Sequence, residues 1–510
     1  MAVPRKKHTD LFLWFCGLFI ALASGLVGCN RPSGEPAKPS SDSPSESIIS
    51  EKGNGKEESA QTGERFEERL AQAESWFGEG KFEEAWGVAK GLLVEQPQSV
   101  PALFLAARTM AARNNLQGAI QLISKIDPAD PQAGGAALGQ LAEWLAQSGD
   151  LPAAEVKLRA LLKEYPTAVP ALRLLIDVLH AQGRRWDASK VLDRLIRLGD
   201  FTTPDLMGLV DLREPVDQEK LRTVFHQAAP ANPMSELGEV RLLLYADRWK
   251  DCVDRLRILT NKDPQQIEPW IWYGEALLET GGDEALEGWL KSAPEGYAKH
   301  PEYWYIIGRS QMLQSRWEMA ARCFVEALKI DRRHLGGMQS LSECLMELKQ
   351  EDLGLAVRAE AGKMVRIKDL TVQIQRGQAK DEAFFEIAKL YRELGDLVAS
   401  FGWEAIALTQ TRQRFPESLL SSQRDLRGGK STPLPVLEKL PWESWPLPTS
   451  EDAVKPSGDP SRSKPSIAPG DETTIRLTDA AKRLGIEAAY QNGAGSRRSW
   501  YTLEGIGGGV

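Results

Sequence analysis

The sequence predicts an all-α protein, built as a solenoid of helical hairpins. Equivalent residues recur at steps of 34 or 35 positions at Phe82, Leu116, Leu151 and Trp186, and Trp249 and Trp317 lie 68 apart. A small residue follows three positions after most of these, at Ala85, Ala119, Ala154, Cys252 and Ala320. Two antiparallel helices fit a repeat of this length, and stacked copies bury one continuous core.

Composition excludes several other classes of protein. The chain has 510 residues, of which 42% are hydrophobic, so it can fill a sizeable core and has room for two to four domains. Its 63 basic and 71 acidic residues give a net charge of −8, which argues against nucleic-acid binding. Five cysteines and five histidines leave little room for a zinc framework or a disulfide scaffold.

Residues 1–28 have the features of an export signal. Three basic residues at positions 5–7 precede an apolar run, 11–25, that is short for a membrane span. The sequence Leu26-Val27-Gly28-Cys29 resembles a bacterial lipobox, which implies cleavage before Cys29 and acylation of its thiol. We therefore expect a lipoprotein anchored in the bacterial cell envelope and facing the periplasm or the exterior. An ordinary signal peptide and an uncleaved anchor are the alternatives, and Asn30 leaves open which membrane holds the protein.

Residues 29–64 are predicted to be a disordered tether. Positions 30–64 contain eight Ser, four Pro and four Gly, and the only large apolar residues are Ile48 and Ile49. Such a segment cannot bury enough apolar surface to offset the entropy lost on ordering.

Residues 65–416 resemble the tetratricopeptide repeat (TPR). The best unit has the family's order of aromatic, small and aliphatic positions, at Trp304, Ile307, Gly308, Trp317, Ala320, Phe324 and Ala327. We expect Gly308 and Ala320 to let the two helices approach closely. The chain has room for about nine or ten units, although residues 201–231 fit poorly and a shortened helix ends near Pro294.

The resemblance implies a concave face, lined by the first helix of each unit, that binds a peptide or a protein. The candidate partner-binding residues on this face are Phe104, Arg108, Arg173, Trp272, Glu275, Tyr305 and Arg309. If the units stack regularly, Trp272, Tyr305 and Arg309 lie near one another, and aromatic residues with Arg are typical of binding hot spots. The alternative is that these side chains only pack sideways or shield helix ends. The chaperone-binding pattern of the family is not implied, because the corresponding positions hold Leu70, Glu74 and Leu105.

No catalytic motif is recognisable, so the sequence predicts neither an enzyme nor a cofactor. His180, His226, His300 and His334 are scattered, with no His–His or His–Glu pair at the spacing of helical metal ligands. No metal site is predicted. Cys252, Cys323 and Cys344 are expected to be buried, inert thiols, with a Cys323–Cys344 disulfide as the alternative.

Residues 417–470 are predicted to be a Pro/Ser-rich linker. Trp442 and Trp445 lie in it without a surrounding helical pattern. We expect them to pin the linker against the last repeat, because an exposed Trp pair lowers solubility. A short partner-binding motif is the alternative.

Residues 471–510 resemble the beginning of an FG-GAP/VCBS β-propeller of the ASPIC/UnbV (cartilage acidic protein) type. The resemblance rests on Leu484-Gly485-Ile486, Tyr490 before Asn492-Gly493, and the terminal Gly507-Gly508-Gly509-Val510. It implies a short, incomplete β segment, because the Asp-rich calcium loop of the family would follow Val510. We therefore predict no calcium binding and expect residues 429–510 to be mostly disordered or weakly docked.

Two functional hypotheses follow. The first is a membrane-anchored envelope scaffold that binds proteins through its repeats and takes no small-molecule substrate. The second is the N-terminal part of a split or truncated protein that combines TPR units with a calcium-dependent propeller.

Overall fold

The computed structural model describes residues 54–215, 235–281, 283–427 and 434–448. These residues form twenty α-helices and three short 3-10 helices, without a β-strand. The all-α fold class predicted from the sequence is confirmed. The lipobox, most of the tether and residues 471–510 lie outside the described residues.

The first half of the described chain contains four helical hairpins and one short extra helix. Its helices are α1 (Asn54–Gly78), α2 (Phe82–Glu95), α3 (Val100–Ala112), α4 (Leu116–Ile123), α5 (Gly134–Gln147), α6 (Leu151–Glu164), α7 (Val169–Ala181), α8 (Arg185–Leu198) and α9 (Thr203–Met207). Helix α1 begins ten residues before the predicted end of the tether, where Glu, Lys, Ala and Gln favour a helix.

The second half contains five hairpins and one further helix. Its helices are α10 (Glu236–Tyr245), α11 (Trp249–Lys262), α12 (Ile267–Thr280), α13 (Asp283–Lys291), α14 (Pro301–Leu313), α15 (Trp317–Ile330), α16 (Leu335–Glu347), α17 (Glu351–Gln375), α18 (Asp381–Glu393), α19 (Leu397–Gln410) and α20 (Glu417–Arg427). The nine hairpins agree with the predicted count, and α13 is the expected short second helix.

Among the residues that the structure describes, each hairpin turn contains one residue with a positive φ, between 55° and 88°. These residues are Gly80, Asn114, Gly149, Gly183, Asp247, Gly281, Ser315, Lys349 and Gly395. They follow one another at 34 or 35 residues within each half, except where the long helix α17 lengthens the last step. The repeat is therefore set by turn geometry as well as by hydrophobic spacing, since a left-handed residue ends the first helix and redirects the chain.

Small residues allow the paired helices to pack closely, as the sequence predicted. A Cβ atom on Gly308 would lie 2.6 Å from Cε1 of Phe324, and one on Gly274 would lie 2.3 Å from the Trp289 ring. Ala320 is completely buried. Trp186, Trp249 and Trp317, at the start of second helices, are half-buried, whereas Trp270, Trp289 and Trp403 are almost completely buried.

Helices far apart in the sequence also pack together. Helix α8 contacts α19 and α20, and α9 contacts α19. A Cβ atom on Gly402 would lie 2.5 Å from Leu206, and Arg197 Nη1 donates to the carbonyl of Leu426 at 2.6 Å. A single core cluster therefore combines residues of 138–210 with residues of 320–445.

The predicted linker is partly folded. Its first residues form α20, and residues 434–448 form two 3-10 turns, Pro435–Lys439 and Trp442–Ser444, that pack on the repeats. Trp445 is 4% exposed, and Lys329 Nζ lies 3.3 Å from the centre of the Trp442 ring. The expected pinning is confirmed, but the contacted helix is α15 rather than the last repeat, because Arg322 on α15 also binds the carbonyls of Trp442 and Trp445.

Candidate functional site

The predicted site residues of α12 and α14 meet at one place. Trp272 lies on α12, and Tyr305 and Arg309 lie on α14, the first helices of consecutive hairpins. The guanidinium carbon of Arg309 lies 5.9 Å from the Tyr305 ring centre, and Arg309 forms an ion pair with Glu279 of α12. Glu275 is also at this place and is 1% exposed.

The other predicted residues lie elsewhere. Phe104 and Arg108 are on α3, where Phe104 packs in a separate core cluster and the Arg108 guanidinium lies 4.5 Å from the Phe77 ring centre. Arg173 forms ion pairs with Asp200 and Asp205 beside α9. These three side chains therefore have packing partners of their own, away from the α12–α14 site.

The centre of the site is Arg213, which no pattern in the sequence indicated. It forms ion pairs with Glu275 and Glu302, at 2.5 Å from Nη1 to Glu302 Oε2. Its guanidinium carbon lies 5.7 Å from the Trp272 ring centre and 5.4 Å from the Tyr305 ring centre. Two carboxylates and two aromatic rings thus surround one guanidinium, which matches the planar geometry and weak hydration of arginine.

The charged groups of the site shift one another's pKa values. Burial lowers the pKa of Arg213, but the Glu275 and Glu302 carboxylates outweigh burial and hold this pKa well above its usual range. Burial raises the pKa of Glu302, but Arg213 and His334 outweigh burial and hold this pKa far below its ordinary value. For Glu275 burial prevails, so its pKa lies above the ordinary value despite Arg213. The arrangement therefore retains a cation between the two helices.

Two histidines support the carboxylates from the starts of α14 and α16. His300 and His334 lie 34 residues apart, and each Nδ1 accepts a hydrogen bond from a backbone N–H of its own helix, at 3.3 and 2.8 Å. The Nε2 atoms lie 3.6 Å from Glu268 and 3.2 Å from Glu302, which are also 34 residues apart. Within single helices, the sequence indicated no His–Glu pair at the spacing of metal ligands. The two observed pairs instead form between neighbouring repeats.

Arg241 of α10 completes the site. It is 3% exposed, and its guanidinium carbon lies 4.3 Å from the Trp272 ring centre. Its Nη2 donates to the carbonyls of Leu212 and Arg213, and its Nη1 donates to the carbonyl of Gly183. Trp272 Nε1 in turn donates to Glu268 at 2.9 Å. A buried arginine therefore holds the main chain of the residues that carry Arg213.

The chemistry of the site is that of binding a cation. Within the described ranges, no group of three or more His, Cys, Asp and Glu side chains is placed to hold a metal ion.

Cys252, Cys323 and Cys344 are buried free thiols, so the alternative disulfide is not formed. Burial raises the pKa of Cys252 to about 11 and raises the pKa of the other two further, which makes all three poor nucleophiles. No helix of the described part is both long and apolar enough to span a membrane.

No protein-family model matches the sequence, and no curated protein matches it. Among solved structures, a tetratricopeptide repeat protein from Parabacteroides merdae is 13% identical over 55% of this chain and 98% of its own, with a TM-score of 0.25. The TPR domain of P58(IPK) is 15% identical over 72% of this chain and 100% of its own, with a TM-score of 0.23. A chain of the APC/C hetero-tetramer Cut9-Hcn1 is 12% identical over 76% of this chain and 86% of its own, with a TM-score of 0.27. The helix pairing within this chain is what establishes its fold as a TPR-type solenoid of helical hairpins.

Proposed function

We propose that the protein is a bacterial envelope lipoprotein, anchored through Cys29, whose repeats form a scaffold that binds other proteins. The binding surface is the face of α12 and α14 that carries Trp272, Glu275, Tyr305 and Arg309.

One observation carries this proposal: the α12–α14 face already accommodates an irregular stretch of polypeptide. The side chain of Arg213, in the irregular stretch 211–215, lies against it near both Trp272 and Tyr305. The α12–α14 face binds the Arg213 cation, and Arg241 of the neighbouring helix α10 binds main-chain carbonyls of the same stretch. Any protein ligand can offer both kinds of group. Aromatic rings beside buried, paired charges are the composition of strong binding sites in protein interfaces.

Binding is tested by affinity purification of the full chain from detergent-solubilised envelopes. Tyr305→Ala combined with Arg309→Ala removes one ring and one cation from this face, so the yield of co-purified partner should fall at least about tenfold, since hot-spot residues contribute 2 kcal/mol or more. The matched control is Arg392→Ala, whose ion pair with Glu404 lies on an exposed surface. Equal recovery by the double variant and the control would place the binding surface elsewhere.

Anchoring is tested separately by metabolic labelling with a radioactive or alkyne palmitate. Labelling should be lost in Cys29→Ala and kept in Cys252→Ala, whose thiol is buried. Retained label in Cys29→Ala contradicts the lipoprotein assignment.

A further inference from the structure

The segment 208–215, which we call the inner segment, is held by basic residues from three other elements. Arg185 of α8 donates to the carbonyls of Gly208 and Asp211, at 2.9 and 3.1 Å. Arg241 of α10 binds the next two carbonyls, and Lys368 of α17 lies 2.7 Å from the Asp211 carboxylate. The main chain and one acidic side chain are therefore recognised independently of Arg213.

The arginine is recognised by groups that are more deeply buried than the arginine itself. The side chain of Arg213 is 32% exposed, whereas those of Glu275 and Glu302 are 2% and 7% exposed. The carboxylates thus form the floor of the site, and the guanidinium enters from the solvent side. Glu275 Oε2 is buried and has no hydrogen-bond partner among the described residues, so the floor has acceptor capacity that Arg213 does not use.

Without the guanidinium, the floor would be unfavourable. Two buried carboxylates on neighbouring helices repel each other, and each needs a cation to compensate for lost hydration. Arg309 is paired with Glu279, Arg241 is directed to main-chain carbonyls, and His334 lies against Glu302, so none of these three groups forms an ion pair with Glu275. When Arg213 leaves, an arginine of another protein can therefore supply the positive charge that these buried carboxylates need.

We infer that the inner segment is an internal substitute for a ligand, and that the α12–α14 face binds an arginine of a partner protein in place of Arg213. The partner's binding segment carries an acidic residue two positions before the arginine, to pair with Lys368 as Asp211 does. This inference rests on the proposed function and specifies its partner: displacement of the inner segment opens the site.

The inner segment competes because it is tethered beside its site. A ligand that binds only the open form has its affinity reduced by the fraction of molecules that are open. Because the inner segment is part of the same chain, its effective concentration at the site is about millimolar or more. The segment therefore occupies the site most of the time even if its intrinsic affinity is weak, as long as the dissociation constant lies below that concentration. Removing Arg213 should therefore strengthen the binding of an added arginine peptide.

The experiment uses the full chain in detergent and a fluorescent peptide with the sequence of residues 208–215, followed by anisotropy. The Arg213→Ala chain should bind this peptide at least about tenfold more tightly than the unaltered chain. A peptide with Lys in place of its Arg should bind the Arg213→Ala chain at least about tenfold more weakly, because ammonium cannot pair with both carboxylates in one plane. Equal affinity of the two chains, or of the two peptides, overturns the inference.

A second variant guards against misfolding of the first. Arg213→Lys keeps a cation near the carboxylates, and circular dichroism should show unchanged helicity. It should bind the arginine peptide more tightly than the unaltered chain, and adding Glu275→Gln should remove that gain. No gain in a folded Arg213→Lys chain overturns the inference.

The test also separates this inference from the proposed function. If an envelope partner is recovered while no variant binds the arginine peptide preferentially, the inference is wrong and the scaffold proposal stands. If the peptide behaves as expected but the Tyr305→Ala and Arg309→Ala double variant recovers its partner undiminished, the arginine site is supported and the assignment of the scaffold's partner surface is wrong.

Discussion

Arg333 joins two hairpins that are 140 residues apart, because its Nη2 lies 3.2 Å from Oδ1 of Asp193 on α8. Its Nε also lies 2.5 Å from Oδ2 of Asp396, at the turn before α19. The side chains of Arg333 and Asp396 are 9% and 5% exposed. Burial lowers the pKa of Arg333, but the two carboxylates outweigh burial and hold it well above the usual range.

Arg333→Ala should lower the free energy of unfolding by about 3–5 kcal/mol, because it leaves a buried carboxylate without its cation. Urea denaturation followed by circular dichroism measures the change. The matched control is Arg366→Ala, whose pair with Glu386 is exposed and should contribute below about 1 kcal/mol. Similar losses of unfolding free energy in both variants would show that the ion pairs of Arg333 do not stabilise the contact between the distant hairpins.

Gly308→Ala should destabilise the protein by about 1–3 kcal/mol, since its methyl group would overlap the Phe324 ring and force the helices apart. Gly362→Ala on α17 is the control, because apart from the adjacent helix backbone nothing lies within 4 Å of a Cβ atom there. That control should raise stability by about 0.5–1 kcal/mol through helix propensity. Thermal unfolding of both variants gives the comparison, and the same sign for both would contradict the close-packing role.

Stability should decrease as the pH rises through the folded-state pKa of His334. Burial lowers the pKa of this imidazole, but Glu302 and Asp331 outweigh burial and raise it above the ordinary value of 6.5. A raised pKa contributes stability that is complete below the unfolded value and is lost above the folded one. His334→Asn keeps an oxygen to cap α16 but removes the titration. Urea denaturation between pH 6 and 9 should show a smaller decrease for the variant, and parallel curves would contradict the assignment.

Trp445→Ala should release residues 434–448 more readily than Trp442→Ala. Trp445 is buried, and truncating a buried Trp costs about 3–5 kcal/mol. Trp442 is half-buried beside Arg322 and Lys329, where cation–π contacts contribute about 0.5–1 kcal/mol each. Limited proteolysis reports the release, because a detached segment is cut first. Faster cutting in Trp442→Ala than in Trp445→Ala would reverse this ranking.

The periodic features of this protein were predictable from its sequence. The hairpins, their number and the close approach at Gly308 follow from spacings of 34 or 35 residues and from the repeat pattern. Pro294 indicated the short second helix α13. One feature of the site was periodic too, because Glu268 and Glu302 lie 34 residues apart, as do His300 and His334. These features depend on neighbouring helices, and the core-facing pattern of each helix is written along the chain.

Only the tertiary structure revealed Arg213, the pairing of Arg333 with Asp193 and the docking of Trp442 on α15. Each joins residues that are 62 or more positions apart, through a turn or segment without a repeat pattern. An arginine in an irregular segment has the same local sequence whether it faces water or two carboxylates. The sequence by itself thus determined the repeating hairpins, whereas the packing of distant hairpins decided which charges are buried together, because burial depends on what the rest of the chain places around a side chain.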